Sequence, residues 1–140
     1  MKRQGFTLIE LLVVIAIIGL LSTLAVVALG SARVKARDSK RLSDLKQLQT
    51  ALELYYTDQN AYPSGSGVAL GDSTHACLNA SGFGSTGCAN AYMGQVPVDP
   101  QSGNYTYTAA SSSYSVTATL EGTVNGLSSG VTLSPAGIAD

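Results

Sequence analysis

Near the start of the chain, residues 11–29 read LLVVIAIIGLLSTLAVVAL, nineteen positions without a charged side chain. An α-helix needs about 20 apolar residues to cross the hydrocarbon core of a bilayer, so this run is long enough to span a membrane. A helix buried in a soluble protein is the alternative, but the 140 residues of the chain make one ordinary domain, which could hardly surround such a run. The run therefore predicts a single membrane-spanning helix.

The residues before this run are unusual for a membrane anchor. Lys2 and Arg3 supply the basic flank of a secretory signal, but no A-x-A cleavage site follows the apolar run. Glu10 lies at the start of the apolar stretch, where an unpaired carboxylate costs a few kcal/mol. A cut after Gly5 would give Phe6 a free α-amino group about one helical turn from Glu10, so the amine could pair with this carboxylate or with that of a neighbouring copy.

The junction itself carries a specific motif. Residues 2–11 read KRQGFTLIEL, a basic leader and a glycine followed by FTLIE at the start of the apolar run. This motif resembles the class III signal of type IV pilins and type II secretion pseudopilins. The resemblance implies that residues 1–5 are a leader, which a membrane prepilin peptidase removes by cutting between Gly5 and Phe6. It also implies that Phe6 is N-methylated and that Glu10 guides assembly.

Helix-forming residues continue well past the apolar run. No proline occurs before Pro63, and residues 31–56 are rich in Ala, Arg, Lys, Leu, Gln and Glu. The sequence therefore predicts one helix over residues 6–60, in which 6–29 form a transmembrane segment or filament core and 30–60 are amphipathic. The apolar face of the second part recurs every three or four residues: Leu42, Leu45, Leu48, Ala51, Leu52 and Tyr55.

The rest of the chain, residues 61–140, predicts a small β-rich head. Glycine and proline are scattered through residues 61–95, which predicts loops. Apolar and polar residues alternate over 105–108 and 114–120, and this alternation predicts an antiparallel hairpin whose apolar face covers the helix. A third short strand is expected near 131–133. The expected fold is α+β and pilin-like: one long N-terminal α-helix, packed by its C-terminal half against a small antiparallel sheet.

Two cysteines, Cys77 and Cys88, are the only ones in the chain. In an exported domain such a pair most often forms a disulfide, which would stabilise the head by about 2–3 kcal/mol. Free thiols and metal binding are the alternatives. Their spacing does not suit zinc, and His75 is the one histidine that could join them. We therefore predict no metal and no cofactor.

A second, shorter motif precedes the hairpin. VPVDP at residues 96–100, followed by YTY at 105–107, is similar to the stretch that leads into the sheet of type II secretion major pseudopilins. Some of those proteins bind calcium near the end of the chain. The corresponding region here offers only Glu121 and Asp140 as carboxylates, so calcium is not predicted.

The charges are distributed unevenly. All eight Lys and Arg residues lie at or before Lys46, whereas residues 47–140 carry six acids and no base. The basic residues flank an apolar span, which argues against a soluble nucleic-acid binder. The cluster over 33–46 is expected to meet lipid headgroups before assembly and acidic groups of neighbouring copies afterwards. Within it, Asp38–Arg41 and Lys40–Asp44 are spaced for weak pairing away from the apolar face.

The orientation in the membrane is predicted differently by two criteria. Six basic residues follow the span and two precede it, so the positive-inside rule places the C-terminal side in the cytoplasm. The family resemblance implies the opposite side, and we adopt the topology of the family because its signal motif is specific.

No catalytic site is predicted. Asp72, Ser73 and His75 lie close together in sequence and include the residue types of a nucleophile and its base. They share one flexible Gly/Ser-rich loop, however, and a triad depends on a rigid scaffold that holds its geometry. A solvated loop histidine is the better interpretation, so the chain is predicted not to be an enzyme.

The leading functional prediction is a structural subunit of a type IV pilus-like filament. Such a subunit is a single-pass membrane protein before assembly and part of an extracellular or cell-surface filament afterwards. The expected partners are further copies of the chain, minor pilins, the prepilin peptidase, a membrane assembly platform and the lipid bilayer. Two alternatives remain: a pseudopilin of a type II secretion or DNA-uptake system, and a monomeric membrane-anchored binding module that keeps its N-terminus.

Overall fold

The computed structural model describes residues 1, 5–101 and 103–140, so Lys2 and Arg3 of the expected leader lie outside the described residues. One long helix, α1, runs from Leu8 to Gln59 and is followed by a small antiparallel sheet. The chain forms two compact units, Met1–Val34 and Lys35–Asp140. The predicted α+β architecture is thus confirmed.

The C-terminal end of α1 has a local cause. Asn60 adopts a left-handed conformation with φ of 54°, and its N–H donates to the carbonyl of Tyr56 at 2.8 Å. Asparagine tolerates this conformation, which commonly closes a helix. Pro63 follows three residues later and disfavours any helical continuation.

Within residues 61–101 and 103–140, seven strands make up the sheets of the head. The main sheet has the order β1-β4-β5-β6-β7, and every neighbouring pair in it is antiparallel. A separate hairpin is formed by β2 and β3. The strands are β1 Gly65–Ala69, β2 Cys77–Asn79, β3 Gly82–Gly84, β4 Thr106–Ala110, β5 Ser113–Val124, β6 Leu127–Ser134 and β7 Gly137–Ala139.

The predicted hairpin corresponds to β4 and β5, in which Tyr107 lies opposite Val116. The expected third strand is part of β6, which pairs with β5 through a tight turn at Asn125 and Gly126. Both turn residues have positive φ, 54° and 83°, as the hairpin turn with matching twist requires.

The prediction of loops throughout 61–95 is wrong, because β1, β2 and β3 lie in this range. These strands are three to five residues long, and β1 and β3 each contain two glycines, so their sequences lack the alternation that marks a strand. Backbone pairing with a distant partner creates β1: its Val68 lies opposite Tyr107 of β4.

The hydrophobic core lies between the second part of α1 and the sheet. Leu45, Leu48 and Leu52 of the predicted apolar face are fully buried, and Ala51 is nearly so. The flanking Leu42 and Tyr55 are partly buried against the same core. The sheet contributes alternate residues of β5 and their neighbours: Tyr105, Tyr107, Tyr114, Val116, Ala118, Leu120, Val131 and Leu133.

Candidate functional site

The predicted cleavage and assembly residues lie at the start of α1. Gly5 and Phe6 precede the helix in exposed, non-helical backbone. The carboxylate of Glu10 accepts hydrogen bonds from the N–H and the hydroxyl of Thr7 at 2.8 and 2.6 Å, and the Glu10 N–H donates back to the Thr7 hydroxyl at 3.3 Å. This reciprocal pair is a capping box, which satisfies N–H groups that the first helical turn leaves without partners.

The first unit exposes its apolar side chains. In the part of the chain that the structure describes, α1 is the one helix long and apolar enough to cross a membrane by length and composition. Its apolar residues from Leu8 to Leu29 are exposed. So large an uncovered apolar surface requires lipid or other protein around it.

A cluster of charged side chains, here called the Arg41 cluster, joins α1 to the head. The Arg41 side chain is only 3% exposed. Its Nε and Nη2 donate to the two carboxylate oxygens of Asp99 at 2.6 and 2.8 Å, and its Nη1 donates to Asp38 and Glu121, each at 2.7 Å. Asp38 is fully buried and also accepts the backbone N–H groups of Glu121 and Gly122 at 2.9 and 2.8 Å.

Further charges extend the cluster on both sides. Arg37 forms a two-pronged ion pair with Glu121, whose pKa is lowered to about 2 by hydrogen bonds from Arg37 and Arg41. Lys40 pairs with Asp44 at 2.9 Å, and the Tyr105 hydroxyl donates to the same carboxylate at 2.9 Å. Burial, followed by this bond to Asp44, raises the pKa of Tyr105.

The structure corrects the expected position of these charges. The predicted Asp38–Arg41 and Lys40–Asp44 pairs form, but Asp38, Arg41 and Asp44 are buried on the core side of α1 and Arg41 cannot reach lipid headgroups. Helical spacing places Arg41 four residues before Leu45, on the same face. The sequence signal was present, because VPVDP contains Asp99, but the pairing of Asp99 with Arg41 spans 58 positions. Exposed basic residues of the expected cluster remain at Arg33, Lys35, Lys40 and Lys46.

The two cysteines are joined in a disulfide. Cys77, fully buried in β2, bonds to Cys88 in the loop after β3, with 6.1 Å between their Cα atoms. The bridge ties this loop to the core. Among residues 1, 5–101 and 103–140, no group of three or more His, Cys, Asp or Glu side chains is arranged to hold a metal ion.

The Asp72–His75 loop is arranged as a turn. Asp72 Oδ1 accepts the Thr74 N–H and hydroxyl, both at 2.8 Å, and the His75 N–H at 2.7 Å, and it lies 2.9 Å from His75 Nδ1. These bonds, chiefly that from the Thr74 hydroxyl, lower the pKa of Asp72 to about 2. Ser73 forms no hydrogen bond with His75 among the described residues, so the geometry is that of a structured turn without an activated nucleophile.

Two family models match the chain. Residues 1–30 match the prokaryotic N-terminal methylation motif. Residues 28–126, which include the second part of α1 and most of the head, match type II secretion system (T2SS), protein G.

Curated relatives agree with the second match. The type II secretion system core protein G of Pseudomonas aeruginosa is 33% identical over 115 residues, which cover 77% of this chain and 75% of that protein. The proteins of the same name from Pectobacterium carotovorum and Escherichia coli K12 are each 44% identical over 63 residues, or 45% of this chain. Those shorter alignments span 40% and 43% of the two relatives. No solved structure matches the chain at a significant level.

Proposed function

Because this chain belongs to the family of type II secretion system protein G, we propose that it is a pseudopilin, a structural subunit that polymerises in the assembly of such a system. The observation that carries this proposal is the match of residues 28–126, because it includes the head. The sequence by itself predicts a type IV pilus subunit, with the pseudopilin as an alternative. The comparisons support that interpretation only at the level of the wider family and favour the pseudopilin alternative.

The proposed maturation assigns a task to each part of the chain. Residues 1–5 form the leader, and a prepilin peptidase cuts between Gly5 and Phe6 and methylates Phe6. Residues 6–29 hold the precursor in the bilayer and later form the filament core, 30–60 carry the head, and 61–140 are the head. The exposed backbone at Gly5 and Phe6 supports this assignment, because a peptidase needs access to the bond that it cuts.

Glu10 is proposed to direct assembly through charge. In the apolar core of a filament, a carboxylate without a partner would carry a large desolvation cost. The α-amino group of Phe6 that cleavage creates offers a matching positive charge on a neighbouring copy. Pairing at this depth favours one axial stagger between subunits, since any other stagger leaves both charges without partners.

The proposed surroundings follow from the same assignment. The subunit is a single-pass membrane protein before assembly and part of a filament outside the membrane afterwards. Its partners are further copies of the chain, minor pilins, the prepilin peptidase and an assembly platform. The role is structural and not enzymatic, a proposal that the turn geometry at Asp72 and the names of the relatives support.

Mass spectrometry of the N-terminal peptide of membrane-extracted protein tests the maturation. We expect a peptide that begins with methylated Phe6, and Gly5→Leu should block the cut. A Cβ added at residue 5 meets no atom of the described residues within 4 Å, and Gly5 precedes α1, so we expect this variant to keep the fold. Gly19→Ala, which is equally free of contacts, is the matched control and should be cut normally. An intact Met1 in the extracted wild-type protein would favour the monomeric anchored module instead.

Deletion of the gene separates the secretion role from the pilus role. We expect loss of protein export with surface pili unchanged, and restoration of export by the wild-type gene. Loss of surface pili with normal export would contradict the pseudopilin proposal and support the type IV pilus subunit instead.

A further inference from the structure

Val98 is a half-exposed valine on the surface of the head, and contacts of its neighbours hold its backbone in place. Val98 is 46% exposed and lies between the two prolines of VPVDP. The next residue, Asp99, is held by two hydrogen bonds from the buried Arg41. On its inner side Val98 packs so closely over Gly71 that a side chain at residue 71 would collide with it. The Arg41 cluster therefore presents Val98 to the outside in one position.

An apolar groove lies elsewhere on the same unit. Its volume is about 450 Å³, and its apolar wall consists of Leu42, Leu127 and Ile138, which are partly buried. Lys46 lines the same groove. Its ammonium group is exposed and has one hydrogen bond among the described residues, a 3.2 Å contact with the Gln49 side chain. The groove thus combines an apolar wall with a cation that has no carboxylate partner.

The valine and the groove lie on opposite flanks of α1. The cavity beside Val98 is lined from the helix by Lys40, Asp44 and Gln47, whereas the groove is lined by Leu42 and Lys46. At 100° per residue these two sets fall on either side of the leucine stripe, which consists of the buried residues Leu45, Leu48 and Leu52. A contact between them cannot form within one chain, and two copies joined in this way leave one valine and one groove free. Such a head-to-tail contact propagates into a filament.

The charges on the two flanks are complementary. Asp72 follows the glycine on which Val98 packs and lines the same cavity as Val98. Its Oδ1 accepts the hydrogen bonds of the turn, whereas none of the described hydrogen bonds uses its Oδ2. The carboxylate oxygen of Asp72 beside the valine and the ammonium group of Lys46 beside the groove carry opposite charges. Their attraction favours the correct partner surface over others.

We propose that Val98 of one copy inserts into the groove of Leu42, Leu127 and Ile138 on the next copy, with Lys46 of that copy facing Asp72 of the first. The occupant of the groove is a second copy of this chain. This inference rests on the proposed function and deepens it, because it names the surfaces through which the heads meet when the subunits polymerise.

Cysteine crosslinking between full-length copies in membranes tests the contact. One copy carries Val98→Cys and a differently tagged copy carries Leu127→Cys, and both keep the native disulfide. After oxidation we expect the mixed pair to crosslink at least about tenfold more than two Val98→Cys copies do. Leu54→Cys is the control partner, because Leu54 is an exposed apolar residue, more accessible than the partly buried Leu127, and lies outside both surfaces. Equal crosslinking to Leu54→Cys, or dominant linking between two Val98→Cys copies, would overturn the contact.

Filament yield provides a second test without added cysteines. Val98→Glu should lower the yield at least about tenfold, because it places a charge in an apolar groove, whereas Val98→Ile should preserve it. Lys46→Glu should also lower the yield, and Asp72→Asn, which keeps the Oδ1 acceptor of the turn, should weaken assembly less. Near-ultraviolet circular dichroism of the tyrosines shows that each variant is folded. Normal yield from Val98→Glu contradicts the proposal.

These experiments distinguish a failure of the proposed pseudopilin function from a failure of the proposed contact between heads. If the wild-type chain forms no filaments and none of the cysteine pairs crosslinks, the pseudopilin function itself is wrong. If filaments form but the Val98–Leu127 pair crosslinks no more than the control, only the surfaces named here are wrong.

Discussion

Arg41 is a cation in the core, and it is tolerated there because three carboxylates surround its guanidinium. Its guanidinium donates to Asp38, Asp99 and Glu121 in the forked geometry that suits carboxylates. Removing two charges from water costs several kcal/mol per ion, so the cluster adds little stability over an apolar equivalent. The cluster does hold the loop before β4 at a defined point, because both carboxylate oxygens of Asp99 accept hydrogen bonds from Arg41.

Removing Arg41 should therefore be much more damaging than its net contribution suggests. Arg41→Ala removes the cation to which the fully buried Asp38 is hydrogen-bonded, and we expect a loss of about 3–5 kcal/mol in the free energy of unfolding. Arg41→Lys should recover only part of this, because an ammonium group cannot form the paired contact with Asp99. Chemical denaturation in detergent, followed through tyrosine circular dichroism, measures the difference. Lys46→Ala, at an exposed site, should stay within about 0.5 kcal/mol of the wild type.

Tyrosine hydroxyls in the core offer a second, opposite prediction. The Tyr114 hydroxyl is buried and has no hydrogen-bond partner among the described residues, whereas the Tyr107 hydroxyl donates to the carbonyl of Pro63 at 2.7 Å. Tyr114→Phe should raise the free energy of unfolding by about 1 kcal/mol, because it removes a polar group that has lost its water. Tyr107→Phe should lower it by about 1 kcal/mol. The same denaturation experiment compares the pair, and a loss of stability in Tyr114→Phe would contradict this account.

Between elements, the Arg41 cluster is the polar counterpart of the leucine stripe. Leu45, Leu48 and Leu52 pack against the sheet without directional preference, whereas Asp38 accepts backbone N–H groups at one point of β5. That point, Glu121 and Gly122, lies where the β5–β6 register shifts between Thr119 and Thr123. The hydrogen bonds to Asp38 thus use N–H groups in the part of β5 where the ladder is interrupted.

The link between α1 and β5 predicts how stability depends on pH. Hydrogen bonds from Arg37 and Arg41 lower the pKa of folded Glu121 to about 2, from an ordinary value of 4.5. The unfolded chain then binds more protons at this residue between these values, so the contribution of Glu121 to stability is fully present above about pH 4.5 and falls as the pH drops towards 2. Glu121→Gln should flatten this fall in melting temperatures measured from pH 6 to pH 2. A residual slope is expected, because the pKa of Asp72 is also about 2. An unchanged slope in Glu121→Gln would rule out this source of acid sensitivity.

Two kinds of surface on the chain are open to partner molecules: the apolar part of α1 and the flanks of the head. The apolar residues from Leu8 to Leu29 are uncovered, and Glu10 lies at their start with Thr7 as its contact. The head provides a separate pair of surfaces on opposite flanks of α1. A filament of identical subunits would cover both kinds of surface, which is why a structural role accounts for more of the molecule than a monomeric anchor does.

The proposed assembly role of Glu10 can be tested separately from membrane insertion. Glu10→Ala removes a charge from the apolar helix and should insert in the membrane at least as well as the wild type. Its filament yield should fall by about tenfold or more, because the Phe6 amine of a neighbour then has no carboxylate partner. Membrane fractionation and electron microscopy measure the two quantities. Thr7→Ala, which removes the hydroxyl contact in the capping box, shows how much of the effect comes from local helix stability. Normal filament yield from Glu10→Ala would contradict the proposed role of Glu10 in assembly.

The signal motif, the apolar run, the single long helix and the β4–β5 hairpin were all predictable from sequence. Each depends on neighbours within about ten residues, where helical or alternating periodicity is visible directly. The disulfide was predictable for a different reason. The chain has two cysteines, so only one pairing within the chain exists.

The short strands β1 to β3 and the Arg41 cluster could not be predicted in this way. β1 exists because β4 offers it backbone partners about 40 residues later, and Arg41 is buried because Asp99 and Glu121 arrive from 58 and 80 positions away. A buried charge and an exposed one look identical in a sequence, and their energies differ only through what the folded chain brings alongside. Local periodicity thus suffices for the helix and its membrane span, whereas the interior charges and the flanks of the head depend on contacts that form only when the chain folds.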